Sequence, residues 1–331
     1  MNAPDFWNRC RYVRGMQGGH YESYFQRANH PHRPLAFWNR YTIFSPRHRA
    51  ADAVGELWAI YFDGERGRIA AAKQVFPLSA CRFADDGLDL RIGDALLVDG
   101  ELKGSASSGG HSLQWALRYA GGQAPLLLLP ERLYAAGFPK AKALVGAPNA
   151  IFDGTLVVDG ETIAIERWQG SQNHNWGSRH TDSYAWGQVA GFDNAPDAFL
   201  ECSTARLRIG PWWTPPLSVI VLRAEGREFA LNGMLQALRA RAGFDFFDWH
   251  ITSRSAAASI AVHIQAPRTS FVGLKYDNPP GGAKTCLNTK LARCELTLEL
   301  PGRAPRIFRT GHRAAFEILT ERSDHRVAVV A

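Results

Sequence analysis

Residues 168–192 read WQGSQNHNWGSRHTDSYAWGQVAGF. Trp168, Asn173, His174, Asn175, Trp176, His180, Asp182, Tyr184, Trp186 and Gln188 all fall within this one stretch. Leaving an indole in water forgoes about 2–3 kcal/mol of burial, so these rings must lie against something. On an extended strand successive side chains alternate between faces, so Tyr184, Trp186 and Gln188 share one face. That face carries a phenol, an indole and an amide. Two readings are open. One is a buried polar network pinning two sheets together, with His and Asn satisfying backbone groups and Trp filling the centre. The other is an aromatic-walled pocket with a few polar groups at one end, the usual form of a small-molecule site.

Outward from this stretch the chain is punctuated as a β protein. Its 31 Gly and 18 Pro cut it into short pieces. Leu88, Leu90 and Ile92 alternate with polar partners, as do Leu113, Trp115 and Leu117, which is the pattern of half-buried strands. Asp159-Gly160 between apolar flanks is a hairpin signal, because the type I′ turn needs positive φ at both central residues. Residues 217–222, 260–264, 294–300 and 315–319 are further strand candidates. Helix is scarce. Residues 232–241 place Met234, Leu235 and Leu238 on one face with Asn232 as a cap, and residues 130–136 can hold one turn. Strands about every ten residues argue for an all-β, mostly antiparallel fold of barrels or sandwiches with few short helices.

The 331 residues suit two domains of ordinary size. The GAPN run at residues 146–149 marks a boundary region, giving domains 1–150 and 151–331. With 46% of residues apolar, a sizeable core can be buried. The net charge of +7 implies mild attraction to anionic surfaces, including a transient contact with a membrane surface. Its basic residues are scattered, and no nucleic-acid signature is present, so no nucleic-acid partner is expected. Five Cys without a C-x-x-C fit neither a disulfide framework nor a thiolate zinc site. The first 22 residues lack a signal-peptide core and the longest apolar run, residues 57–62, is too short for a bilayer; the cytoplasm is the expected location.

The string HNWG…H…Y-A-W-G-Q…GF resembles the central segment of the carotenoid 1,2-hydratase (hydroxyneurosporene synthase) and tocopherol cyclase superfamily, which also includes lipocalin-like pericyclases. Glu22-Ser23-Tyr24-Phe25 with Trp38-Asn39-Arg40-Tyr41-Thr42 resembles its first strands. Leu129-Pro130, Phe138-Pro139-Lys140, Asp153-Gly154 and Tyr276-Asp277-Asn278-Pro279-Pro280-Gly281-Gly282 also fit it. The chain departs from the family at His174, where Lys or another polar residue is expected, and at Tyr184, which replaces the first Trp of a W-x-W. The resemblance implies two lipocalin-like β-barrel domains packed together. It also implies a cofactor-independent hydratase or cyclase acting on an apolar isoprenoid or polyene. The alternative is a non-catalytic carrier of an apolar small molecule, and a third reading is an interaction protein with filled barrels.

The implied reaction protonates a carbon–carbon double bond and captures the cation with water or an internal hydroxyl. Such an acid must be buried among apolar groups that raise its pKa, and aromatic faces favour the cation. Asp182, inside the motif, and Asp248, between Phe247 and Trp249, are the candidate acids; Asp193 and Glu22 follow. As plain structural residues Asp182 would be a turn Asp and Asp248 a strand-end Asp paired with Arg. His174 and His180 could relay protons, and Tyr184 joins the catalytic set. Trp168, Asn173, Asn175, Trp176, His180, Trp186, Gln188, Glu22 and Tyr276 are the expected substrate-binding residues. Trp212-Trp213 is a second aromatic wall or a strand start. No metal is expected, although His174, His180 and Asp182 form a competing ligand set matching no firm motif. Cys286, near Lys284 and Lys290, is either a low-pKa thiol or a buried structural one.

Overall fold

The computed structural model describes residues 3–330. The alternating segments become strands of two antiparallel sheets. The first sheet begins with a four-strand meander, His20–Asn29, Leu35–Ser45, Val54–Asp63 and Arg68–Pro77. The long strand Glu161–Gly177 adds beside His20–Asn29, and Ala141–Val158, His111–Ala120, Glu101–Ser108 and three shorter strands follow outward. The sheet curls until Arg68–Pro77 meets Glu101–Ser108 and His111–Ala120. The second sheet is wired the same way. Its meander is Ser183–Phe192, Ala195–Arg206, Leu217–Ala224 and Arg227–Leu231. The last strand, Arg306–Thr320, then pairs with the first, and Ala283–Glu299, Ser259–Gln265, Asp248–Arg254 and Arg241–Asp245 continue from it. One connectivity is thus used twice, though the sequence carries no visible repeat.

The Asp159-Gly160 turn joins Ala141–Val158 to Glu161–Gly177, with φ of 52° and 86° at its two residues and Val158 opposite Glu161. Asp159 also accepts the Ser112 backbone N–H, tying the turn to the next hairpin. Residue 150 lies inside Ala141–Val158; the chain passes from one sheet to the other between Gly177 and Ser183. The aromatic stretch 168–192 is therefore the crossing itself. Its first half closes one sheet and its second half opens the other.

Each sheet wraps its own apolar filling. The first holds Tyr24, Phe37, Tyr41, Trp115, Phe152 and Trp168; the second holds Phe192, Leu200, Trp249, Ile264 and Phe316. Between them lies a third cluster that includes Phe25, Trp38, Trp58, Trp186, Leu274 and Tyr276. The strand His20–Asn29 is buried along its whole length, because one face fills a core and the other meets the opposite sheet. Helices are short, and no described helix is long and apolar enough to cross a membrane. Asn232 does not cap the helix Met234–Arg239: Gly233 is the N-cap, and the Asn232 amide bonds the Leu128 carbonyl. Nor does that helix turn Met234, Leu235 and Leu238 inward; all three are exposed and Ala237 is its buried residue.

Candidate active site between the two sheets

The contact between the sheets divides into a pinned polar part and a hollow part. In the pinned part the buried Arg27 guanidinium donates to the Gln188 side-chain oxygen at 2.8 Å and to its carbonyl at 3.1 Å. Ser171 donates to the same Gln188 oxygen at 2.7 Å, and the Gln188 amide donates to Asn173 and to Glu201, each at 2.7 Å. Burial lowers the Arg27 pKa to about 9, against the opposing charge of Glu201. Gln188 thus serves the polar-network reading of the motif and does not line the hollow.

Beside this pin lies a cavity of about 240 Å³, room for several waters or part of a larger apolar molecule. Phe25, Trp38 and Arg40 line it from the first sheet, and Tyr184, Trp186 and Glu201 from the second. Tyr184 and Trp186 share the face that period-2 alternation assigned them. Trp186 meets Phe25 edge-on with ring centres 6.0 Å apart. Tyr276 closes another side, with the Arg40 guanidinium 4.5 Å from its ring centre. Asn173, His174, Asn175 and His180 add to the polar lining. Both readings of the motif therefore hold, for different residues.

Glu201 is the ionisable group that the geometry singles out. It sits mid-strand in Ala195–Arg206, where Leu200 and Cys202 point into the second core and Glu201 points toward the first sheet. Its carboxyl accepts Trp186 Nε1–H at 2.8 Å on one oxygen and the Gln188 amide at 2.7 Å on the other. Burial raises its pKa from the ordinary 4.5 to about 7, despite those two hydrogen bonds and the Arg27 charge. At neutral pH this carboxyl therefore exists in both protonation states. Glu317, the second buried carboxyl of the wall, is committed to Lys290 at 2.8 Å and to Asn288 at 2.8 Å. Burial lowers the Lys290 ammonium pKa, and Glu317 opposes that.

His174 lines the cavity but is held from behind. Its Nε2 lies 2.8 Å from Glu22, and its ring stacks on Tyr24 with centres 4.0 Å apart. Burial draws the ring toward the neutral form; Nδ1 then faces the Arg11 guanidinium at 3.5 Å and the Trp7 carbonyl at 3.1 Å. Glu22 is a fully buried hub outside the lining. It accepts the backbone N–H groups of Arg11 and Tyr12, the Tyr24 hydroxyl, and hydrogen bonds from His20 and His174. Burial opposes its ionisation, but the hydrogen bonds from His174 and His20 hold it well below the carboxylate range. His180, between Tyr21 and Tyr276, is drawn down to about 3 by burial and by the Arg40 charge, so it is neutral near pH 7. Burial pushes the Tyr184 and Tyr276 phenols well above their ordinary range, which keeps them as O–H groups.

The two Asp residues first in line for the acid do not face the cavity. Asp182 lies in the crossing turn, where Arg179 and the Arg208 backbone N–H take up its carboxylate. Asp248 is not wedged between rings: strand alternation turns Trp249 inward and Asp248 outward, where its side chain is 54% exposed and pairs with His263 at 2.7 Å. Asp193 is bound at the surface by Arg313 and Thr310. Trp168 fills the first core, and Trp176 backs His174 under the Arg11 guanidinium at 3.7 Å. Trp212 and Trp213 are exposed on a separate hairpin. Burial pushes the Cys286 thiol well up, so it is no thiolate. With His174 on Glu22 and Asp182 on Arg179, the ligand set of His174, His180 and Asp182 does not converge. Among the described residues no cluster of three His, Cys, Asp or Glu could hold a metal.

Known proteins match this architecture more widely than this sequence. No family model matches the chain. Uncharacterized proteins of two Mycobacterium tuberculosis strains, CDC 1551 / Oshkosh and ATCC 25618 / H37Rv, are each 27% identical over 201 residues. That alignment covers 61% of this chain and 60% of each relative. Among solved structures, an AttH candidate from Nitrosomonas europaea aligns over 97% of this chain and 96% of its own, with a TM-score of 0.63 and 13% identity. Kievitone hydratase from Nectria haematococca aligns over 92% and 89%, with a TM-score of 0.56 and 11% identity. The protein CghA aligns over 98% and 96%, at 0.54 and 12%. At such identities the likeness establishes a common fold and leaves the activity to the site.

Proposed function

We propose that the chain is a cofactor-independent enzyme of hydratase or cyclase type, in which Glu201 protonates a carbon–carbon double bond of a largely apolar isoprenoid or polyene. The observation that carries this reading is one carboxyl, raised to about 7, in the wall of an aromatic cavity. That kievitone hydratase, by its name a hydratase, shares the fold supports the same class.

In the proposed step the π electrons of the double bond take the Glu201 proton and form a C–H bond. The neighbouring carbon is captured by water or by a hydroxyl of the same molecule, and the proton released returns to the Glu201 carboxylate. Trp186 and Gln188 hold the carboxyl in place through both exchanges. Phe25, Trp38 and Trp186 offer ring faces to developing positive charge, worth about 0.5–2 kcal/mol each. Arg40 lies over Tyr276, and Lys290 lies 5.6 Å from the ring centres of both Trp38 and Trp186. Glu317 balances the Lys290 charge, but the Arg40 guanidinium in the wall disfavours a free-standing carbocation, so proton delivery and capture run together.

Apolar compounds that co-purify with the protein identify the ligand by mass spectrometry, and turnover in H₂¹⁸O and D₂O then reports capture and protonation. Glu201→Gln should bind the compound while losing about 10²–10⁴-fold in kcat. Unchanged turnover in that variant overturns the assignment of the acid. Binding by the unaltered protein with no isotope incorporation and no product favours the carrier reading.

A further inference from the structure

The cavity opens where its lining residues Phe138 and Met234 are themselves exposed. The outer side of that rim is unusually apolar. Strands Arg208–Ile209 and Trp212–Trp213 form a hairpin that pairs with neither large sheet. Its Ile209 is 67% exposed and its Trp212 77%; the adjoining Leu207 lines the cavity. Opposite, Met234–Arg239 turns Leu235 outward, 66% exposed, with Met234 and Leu238, while Met234 and Ala237 line the cavity. Over half of the exposed large apolar side chains among the described residues lie on these segments and at Phe138. A monomer seldom leaves such a patch to water.

The rim is also mostly basic, its Asp182 carboxylate being taken up by Arg179 and the Arg208 backbone N–H. Residues 132–152, 202–224 and 229–244 contain no Asp or Glu, and Lys140, Arg206, Arg208, Arg239 and Arg241 are exposed among them. The Arg206 guanidinium lies 5.3 Å from the Trp213 ring centre. Protruding indoles beside arginines that lay their stems along apolar groups match the composition of a bilayer interface, and anionic headgroups complement the charge. A second copy of the chain would bring like charge against like.

We propose that this rim docks on an anionic lipid surface, with Trp212, Trp213 and Leu235 entering the headgroup layer and the basic side chains meeting lipid phosphates. The cavity mouth then faces the bilayer. That this docking delivers the substrate rests on the proposed function; the docking itself does not.

Vesicle flotation with the full chain tests it in the absence of any substrate. The protein should float with phosphatidylcholine vesicles containing about 30% phosphatidylglycerol, much less with phosphatidylcholine alone, and should be released by about 0.5 M salt. Trp212→Ala with Trp213→Ala should weaken partitioning ~10-fold or more, and Arg239→Glu with Arg241→Glu should abolish the preference for anionic lipid. These side chains are exposed, and an unchanged circular dichroism spectrum confirms that the variants fold. No flotation with anionic vesicles, or flotation unaffected by the Trp changes, overturns the proposal. So does sedimentation showing a dimer that the Trp changes dissociate. Vesicle binding by a chain that turns over nothing leaves the docking standing and removes the enzyme reading.

Discussion

Replacing Glu201 by Gln should change how stability depends on pH, by an amount set by the burial of its carboxyl. Below pH 4.5 the group is protonated both folded and unfolded, and contributes nothing to the difference. Between 4.5 and about 7 the unfolded chain releases the proton first, so the folded state loses stability as pH rises. Above 7 the loss is complete. A rise from 4.5 to about 7, at 1.36 kcal/mol per unit, comes to about 3 kcal/mol. Gln cannot ionise, and its amide still accepts from Trp186. Any mismatch of its NH₂ with the Gln188 amide is independent of pH. Urea unfolding of both proteins from pH 4 to pH 8 should therefore show the variant gaining about 3 kcal/mol on the unaltered chain, most of it between pH 5 and 7. Every other titrating group is common to the two proteins and cancels. A difference that stays flat over this range refutes the reasoning, because Glu201 would then ionise alike in both states.

Trp186→Phe keeps the ring but removes the hydrogen bond that favours the Glu201 carboxylate, so the basic limb of the kcat–pH profile should move upward by a fraction of a unit to one unit. Glu22→Gln replaces one of the two acceptor oxygens of this hub by an NH₂ facing other donors and removes the charge opposite the two His, and urea unfolding should report a loss of about 3–5 kcal/mol. His180→Phe should flatten acid sensitivity. The unaltered ring, drawn down to about 3, loses stability as pH falls through 6.5 because the unfolded chain protonates first, and the variant should not. Asp182→Asn should leave turnover within about twofold, since its carboxylate is spent on Arg179 and the Arg208 backbone.

The fold was legible because its signals are local. Leu88, Leu90 and Ile92, the Asp159-Gly160 turn, and the shared face of Tyr184 and Trp186 each need only a few neighbours to be read. The site was half legible. The aromatic and amide residues of the crossing segment are conspicuous because they sit where two sheets meet, and that meeting needs rings and polar pins together. The acid was not legible, because proximity in sequence to that segment is a poor guide to what faces it. Asp182 is adjacent in the chain and turned away. Glu201 comes from the partner strand, where Trp186 pairs with Ser203 and Gln188 with Glu201. Its one signal was a Glu inside the apolar run at residues 198–202, a charge that burial would not tolerate without purpose. The outward face of Met234–Arg239 misled for a related reason: helical periodicity identifies an apolar side but not which way it looks.

The most direct test is to titrate Glu201 itself. In protein carrying ¹³C at the Glu side-chain carboxyl carbons, one resonance absent from Glu201→Gln should shift with a midpoint near pH 7. A midpoint near the ordinary 4.5 would contradict the account, because the cavity would then hold a carboxylate with no proton to give at neutral pH.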